Sequence, residues 1–169
     1  GFGNISHNGR IQHLGELMSD NLAVPNNHVD YTQVYNHNTS IFNGTIATTV
    51  QDPYIGVFRA NLILEQLEAD DFGFSTAELD KIKGECYFLR AINHFDVLRL
   101  WSHPWGYTSD NSHLGIVYKT SSEVEDAVRI SVSEVYSKMI TDVQRAVNLL
   151  PTDNDIYATS YSAMGLLAN

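Results

Sequence analysis

Side chains capable of chemistry are plentiful in this chain but poorly grouped. Seven histidines, at positions 7, 13, 28, 37, 94, 103 and 113, are scattered, and no HExxH or other ligand spacing joins them into a metal site. No GxSxG, GxxxxGK[ST] or helix-opening GxGxxG occurs, so nucleophile-elbow and phosphate-cradle chemistry have no carrier. Acidic neighbours occur at Asp70 and Asp71 and at Glu123, Glu125 and Asp126, in loop-like stretches where charge clusters read as solvated surface. Cys86 is the single cysteine and lies within an apolar helical pattern, the setting of a small buried hydrophobe. The expectation is a non-enzymatic protein with no metal and no cofactor.

Composition narrows the class further. The 169 residues suffice for one ordinary domain with a sizeable core, and 43% hydrophobic with 18% charged residues is a globular balance. Ten basic against twenty acidic residues give a formal charge of −10, which repels phosphate backbones and anionic lipid, so nucleic acid is not an expected partner. No apolar run is long enough to span a membrane. The start GFGNIS lacks an initiator Met, and SAMGLLAN is an apolar run of about two helical turns. Both ends read as those of an excised segment of a longer protein.

The elements that must position these groups follow from periodicity. Over 10–18, RIQHLGELM spaces Ile11, Leu14, Leu17 and Met18 as a short amphipathic helix. Residues 19–44 hold Pro25, many Asn, Asp, Ser and Thr, and the aromatics Tyr31, Tyr35 and Phe42; they read as a long loop with short extended pieces. Loops of that length are often functional. A helix follows to about Glu68, on a stripe of Val57, Ala60, Leu64 and Leu67. Its start has two readings: Asp52 as N-cap with Pro53 at the first helical position, or an earlier start with a kink at the proline.

Ser75 and Glu78 form a capping box before the most unusual segment, GECYFLRAINHFDVLRLWSHPWG over 84–106. On a helical wheel, Gly84, Tyr87, Phe88, Ala91, Phe95 and Leu98 fall on one face; Ile82, Cys86, Leu89, Val97 and Leu100 fall opposite. Such a helix has to bury both faces, and small Gly84 and Ala91 permit close approach of a neighbour. Arg90 and His94 lie in one polar seam, Asp96 and Arg99 in the other. Arg90 has no acid three or four residues away, which points to a pair with an acid on an adjacent helix. Pro104 stops the helix, Trp101 packs beneath the following loop, and Trp105 is open to either packing or ligand stacking.

Residues 102–130 form a second long connection, with LGIVYK as an extended piece and EVED as a turn of helix. Ser131 and Glu134 cap a further helix that Pro151 ends, and another begins near residue 159. The expected fold is all-α, with irregular tetratricopeptide-like hairpins at about 45–101 and 131–169 and loops at 19–44 and 102–130.

IKGECYFLRAINHFDVLRLWSHPWG resembles the SusD/RagB family of outer-membrane nutrient-binding lipoproteins, whose matching helix carries an acid, a Phe-Leu-Arg-Ala core and an aromatic tail. Glu85, Phe88, Leu89, Arg90 and Ala91 match as they stand. YIGVFRANLILEQL, with Ala60 and Asn61, resembles the preceding helix, and RISVSEVYSKMITDVQRAVNLLP the one after the loop. Ser102 and His103 replace the glycine pair usual before the proline. The chain then corresponds to the N-terminal portion of a longer protein.

The resemblance implies a surface-exposed lipoprotein of the outer membrane, held only by a lipid anchor outside this segment. It would capture a glycan and deliver it to a SusC-like TonB-dependent transporter. It also implies ligand contact in the loop at about 20–42. Sugars present apolar CH faces and many hydroxyls, which aromatic planes and amide or carboxylate groups satisfy. Asn26, Asn27, Asp30, Tyr31 and Tyr35 supply both, and Trp105 with Tyr107 is the next candidate. Two other readings stand beside this one. The tyrosines could only pin the loop to the helices, or the segment could be a helical-repeat scaffold for protein partners with no small-molecule site.

Overall fold

The computed structural model describes residues 9–24, 28–124 and 126–168. His7, Asn26, Asn27 and Glu125 therefore lie outside the described residues. Among the described residues there are six helices and no strand: α1 (Arg10–Met18), α2 (Val29–Tyr35), α3 (Gly44–Ala69), α4 (Thr76–Trp101), α5 (Val132–Leu149) and α6 (Ser160–Leu167). The architecture is all-α and tetratricopeptide-like. The chain divides into two compact units, Gly1–Ile55 and Gly56–Asn169.

The first unit is built on α1, which buries Ile11, Leu14 and Leu17 as its spacing predicts, while Met18 stays exposed. The expected loop at 19–44 contains α2, and this is a correction. Its sequence VDYTQVY is β-branched and aromatic, a poor intrinsic helix former. Packing decides otherwise: Val34 is buried against Leu14 and Leu17, with Tyr31, Tyr35 and Ile46 alongside. Burying one such valine contributes about 1.5–3 kcal/mol, enough to offset weak propensity over seven residues. The spacing 31, 34, 35 is a helical signature that the surrounding polar residues obscure.

The start of α3 falls at Gly44, so Pro53 lies inside the helix and the earlier-start reading holds. Asn43 is buried; its Oδ1 accepts from Ile46 N at 2.9 Å, and its Nδ2 donates to Asp30 O at 3.0 Å. Arg10 and Asp52, both partly exposed, pair at 2.7 Å.

In the second unit, α4 is buried on two sides as its wheel predicts. Cys86 packs with Ala60 and Leu64 of α3, while Ala91 packs with Val143 and Ala146 of α5, Leu150, and Ala163 of α6. Gly84 is the point of closest approach: a Cβ there would meet Leu150 Cγ at 2.9 Å and Leu150 N at 3.1 Å. Both predicted capping boxes are present, Ser75 with Glu78 and Ser131 with Glu134. A third opens α6, Thr159 with Ser162.

The polar seams of α4 lie deeper than the wheel suggests, since Arg90, Asn93, His94 and Asp96 are all buried. Arg99 reaches back to Asp96 at 2.9 Å. The expected extended piece takes the form of a single antiparallel bridge, Leu114 to Ser131, flanked by Gly115 N to Ile130 O at 2.8 Å and Ile130 N to Ile116 O at 3.1 Å. The turn of helix expected in EVED does not form at 123, 124 or 126.

Candidate functional site

Loop 102–130 is held by a buried polar cluster that grows from the seam of α4. Arg90 grips Asp142 of α5 with two bonds, Nε to Oδ2 at 2.7 Å and Nη2 to Oδ1 at 2.6 Å, and donates through Nη1 to Asn61 of α3 at 2.9 Å. The expected partner on an adjacent helix is thus Asp142. Tyr118 of the loop donates to Asp142 Oδ2 at 2.6 Å. Burial, then the neighbouring carboxylate, pushes the Tyr118 phenol upward and keeps it a donor. Burial alone would lower the Arg90 guanidinium, but the bonds and charge of Asp142 raise it.

Around this core the loop backbone is tied down residue by residue. Asn61 Nδ2 donates to Lys119 O at 3.3 Å and Ser121 O at 3.0 Å. Lys119 N donates to His94 Nε2 at 3.1 Å, while Tyr118 stacks on the His94 ring at 3.9 Å. His94 is fully buried, and burial pushes its pKa down to about 3, so it sits as the neutral ring that can accept. Glu65 accepts from Ser122 N at 2.8 Å and from the Ser122 hydroxyl. Arg129 closes the far end on the carbonyls of Gly115 at 2.6 Å and Leu114 at 3.2 Å. Among the described residues, the bonds of this cluster run to one another and to the loop backbone, so what the arrangement does is hold the loop.

That loop carries Trp105 and Tyr107, which are 56% and 60% exposed. Trp105 meets Tyr136 edge-on at 5.0 Å, and Tyr107 lies flat on His103 at 3.9 Å. Trp101 is half-buried.

In the first unit, Asp30, Tyr31 and Tyr35 share α2 but face different ways. Asp30 Oδ2 accepts from Thr45 N at 3.0 Å, which places a carboxylate at the N-terminus of α3. Tyr31 and Tyr35 are half-buried against the Leu14–Val34 cluster, and one face of Tyr31 stacks on His28 at 3.9 Å. His28 Nδ1 also accepts from Tyr31 N, capping α2. The outward face of α2 is different. Val29, Thr32, Gln33, Asn36 and Asn38 line an open hollow of about 270 Å³, roughly the lower bound for a small-ligand site. Sequence reasoning named Asn26, Asn27, Asp30 and the two tyrosines of this segment but not Gln33, Asn36 and Asn38, whose signal is the 29, 32, 33, 36 spacing on one helical face.

Two other hollows exist in the second unit. One, of about 100 Å³ between Ala91, Met139 and Leu166, is apolar and too small for a sugar ring. The other, of about 450 Å³ along Lys81, Leu149 and Pro151, has no aromatic or amide in its lining.

The family of SusD-like proteins described as starch-binding and associating with the outer membrane matches residues 4–169, and the chain belongs to it. A SusD-like protein of Formosa agariphila is 28% identical over 160 residues, covering 91% of this chain and 28% of its own length. The chain thus spans under a third of that relative. Among solved structures, a laminarin binding SusD-like protein superposes with a TM-score of 0.73 at 20% identity, covering 95% of this chain and 34% of the other. A chain crystallised with a xylogluco-oligosaccharide does so at 0.67 and 19%, covering 94% and 30%. At those identities the likeness establishes the fold.

Proposed function

We propose that this chain is the N-terminal, glycan-contacting portion of a non-enzymatic surface lipoprotein that delivers its ligand to a SusC-like TonB-dependent transporter in the outer membrane. The observation that carries the reading is the amide-lined hollow on α2, inside the 20–42 segment. Asn36 and Asn38 are exposed there, and a carboxamide offers both donor and acceptor to a sugar hydroxyl. Membership of a family described as starch-binding supports it, as do two structural neighbours, one that binds laminarin and one crystallised with a xylogluco-oligosaccharide.

Within the segment the labour divides by face. Tyr31 and Tyr35 keep α2 in place, and Tyr31 serves as a platform only through the edge that His28 leaves open. Asn26 and Asn27, expected from the sequence to contact ligand, precede α2 in the chain and are retained in the proposal as hydroxyl partners. The test is calorimetric titration with laminari- and xylogluco-oligosaccharides, comparing the natural chain with Asn36→Ala/Asn38→Ala. Gln33 is spared, because its Oε1 accepts from Asn43 at 2.9 Å and its loss would disturb the start of α3. A loss of affinity of about tenfold or more at unchanged unfolding midpoint supports the site; equal affinity moves the site elsewhere.

A scaffold reading keeps one observation in its favour. Ile41 and Phe42 are 91% and 87% exposed at the tip between α2 and α3, and paired exposed apolar side chains suit a protein partner. Ile41→Ser/Phe42→Ser would leave glycan affinity unchanged and weaken transporter capture if this tip docks.

A further inference from the structure

The turn at 103–113 presents aromatic rings in a way that simple packing does not require. Trp105 and Tyr107 expose more than half of their surface, yet nearly every group around them is spent on fixing their orientation. Gly106, at φ +87°, supplies a backbone conformation that a side chain would resist, which lets Tyr107 N close the turn on Pro104 O at 3.2 Å. Gly106 N donates to Asn111 Oδ1 at 2.6 Å, and Asn111 is itself buried in a left-handed conformation. His113 bonds at both ring nitrogens, to Thr108 Oγ1 at 3.0 Å and to His103 O at 3.2 Å. His103 then backs Tyr107 in a parallel stack, 5° between planes, and Tyr136 braces Trp105.

Rings fixed but not covered have already lost the rotamer entropy that a flexible side chain would lose on binding. What they accept is limited by charge. The turn carries Asp110, whose carboxylate the Ser112 hydroxyl and amide hold below its usual range. Both cations of this loop are engaged by backbone carbonyls, Lys119 by that of Glu123 at 3.2 Å and Arg129 by those of Trp101, Leu114 and Gly115. With a net charge of −10 on the chain, an anion is disfavoured. A neutral ring with an apolar face and a hydroxyl rim fits, because its CH face can stack on an aromatic plane without needing a counter-charge.

We propose that the Trp105–Tyr107 turn, in the second unit, is a carbohydrate-contact surface that stacks the CH face of a neutral hexose unit. This rests on the glycan-binding reading of the chain and adds to it a site in the second unit.

The chain holds two tryptophans, so their indole N–H signals in a nitrogen-15 correlation spectrum separate the readings. On titration of the full chain with a laminari-oligosaccharide, and separately with a xylogluco-oligosaccharide, the Trp105 indole signal is expected to shift saturably with at least one of them, while that of half-buried Trp101 stays. Tyr107→Ala should weaken the affinity reported by Trp105 about tenfold. Tyr107→Phe keeps the stack on His103 and should stay within about twofold; an equal loss in both variants would overturn the stacking role. If resonances of α2 shift to saturation while Trp105 is unmoved by either sugar, the turn is no contact and the glycan reading stands. If no resonance shifts with either sugar, both fall.

Discussion

Replacing Asp142 by Ala removes the charge around which the loop cluster is assembled. Arg90 loses two bonds, at 2.7 and 2.6 Å, Tyr118 loses its acceptor at 2.6 Å, and both donors stay where they are. With Arg90 buried, water has no easy access to the orphaned guanidinium. Breaking a buried pair from one side costs about 3–5 kcal/mol, because the remaining charge is left uncompensated. At roughly 2–4 °C per kcal/mol for a chain of this size, the unfolding midpoint should fall on the order of 10 °C. Removing both partners is different, since an apolar pair of similar volume needs no compensation. Arg90→Met/Asp142→Leu should therefore recover most of the loss in stability. Its loop should still loosen, because Tyr118 and Asn61 have lost partners; faster amide exchange at Lys119 would report this. A single Asp142→Ala variant less than about 1 kcal/mol below the natural chain in urea unfolding would show that this carboxylate is not what holds the cluster. A double variant no more stable than the single one would show that the charge left on Arg90 is not the cause of the loss.

Other consequences follow from the same geometry. Ala91→Leu should cost about 1–3 kcal/mol by overpacking against Val143 and Ala146, and Gly84→Ala should be felt too, because Leu150 stands at 2.9 Å from the added carbon; thermal unfolding checks both. His94 gives a pH dependence whose sign is fixed by its depressed pKa. Between the ordinary histidine value near 6.5 and about 3, the unfolded chain takes up a proton that the folded chain refuses, so stability falls as pH falls, by up to about 1.4 kcal/mol per unit. His94→Gln can keep an acceptor for Lys119 N and should flatten that part of the urea-unfolding profile; an unchanged slope would contradict the assignment. Tyr31→Ala/Tyr35→Ala should lower stability by a few kcal/mol through loss of the α1–α2 packing, read by chemical denaturation. Wild-type stability in that variant would mean that the tyrosines are not anchors.

Much of the second unit is legible in the sequence because its signals are local and agree with one another. The capping boxes at Ser75 and Ser131, the stop before Pro151 and the two apolar faces of 82–100 all point to the same hairpins. The orphan Arg90 is legible as a residue needing a distant acid, but not which one, since Asp142 is 52 positions away and sequence spacing does not encode tertiary pairing. Tyr118 and Glu65 escape notice for the same reason, and Asn61 stands out only through the resemblance of its helix, without its partners. In the first unit, polar residues hide α2, whose helix exists only because Val34 and its flanking tyrosines find α1. Its amide face is a property of that helix and so becomes visible only with it.

Whether this chain holds glycan is decided by calorimetric titration of the natural chain. With laminari- and xylogluco-oligosaccharides at millimolar concentration, saturable binding to at least one of them is expected, weakened about tenfold or more by Asn36→Ala/Asn38→Ala. Absence of heat and of competition with both sugars, in a chain that unfolds cooperatively and is therefore folded, would contradict it.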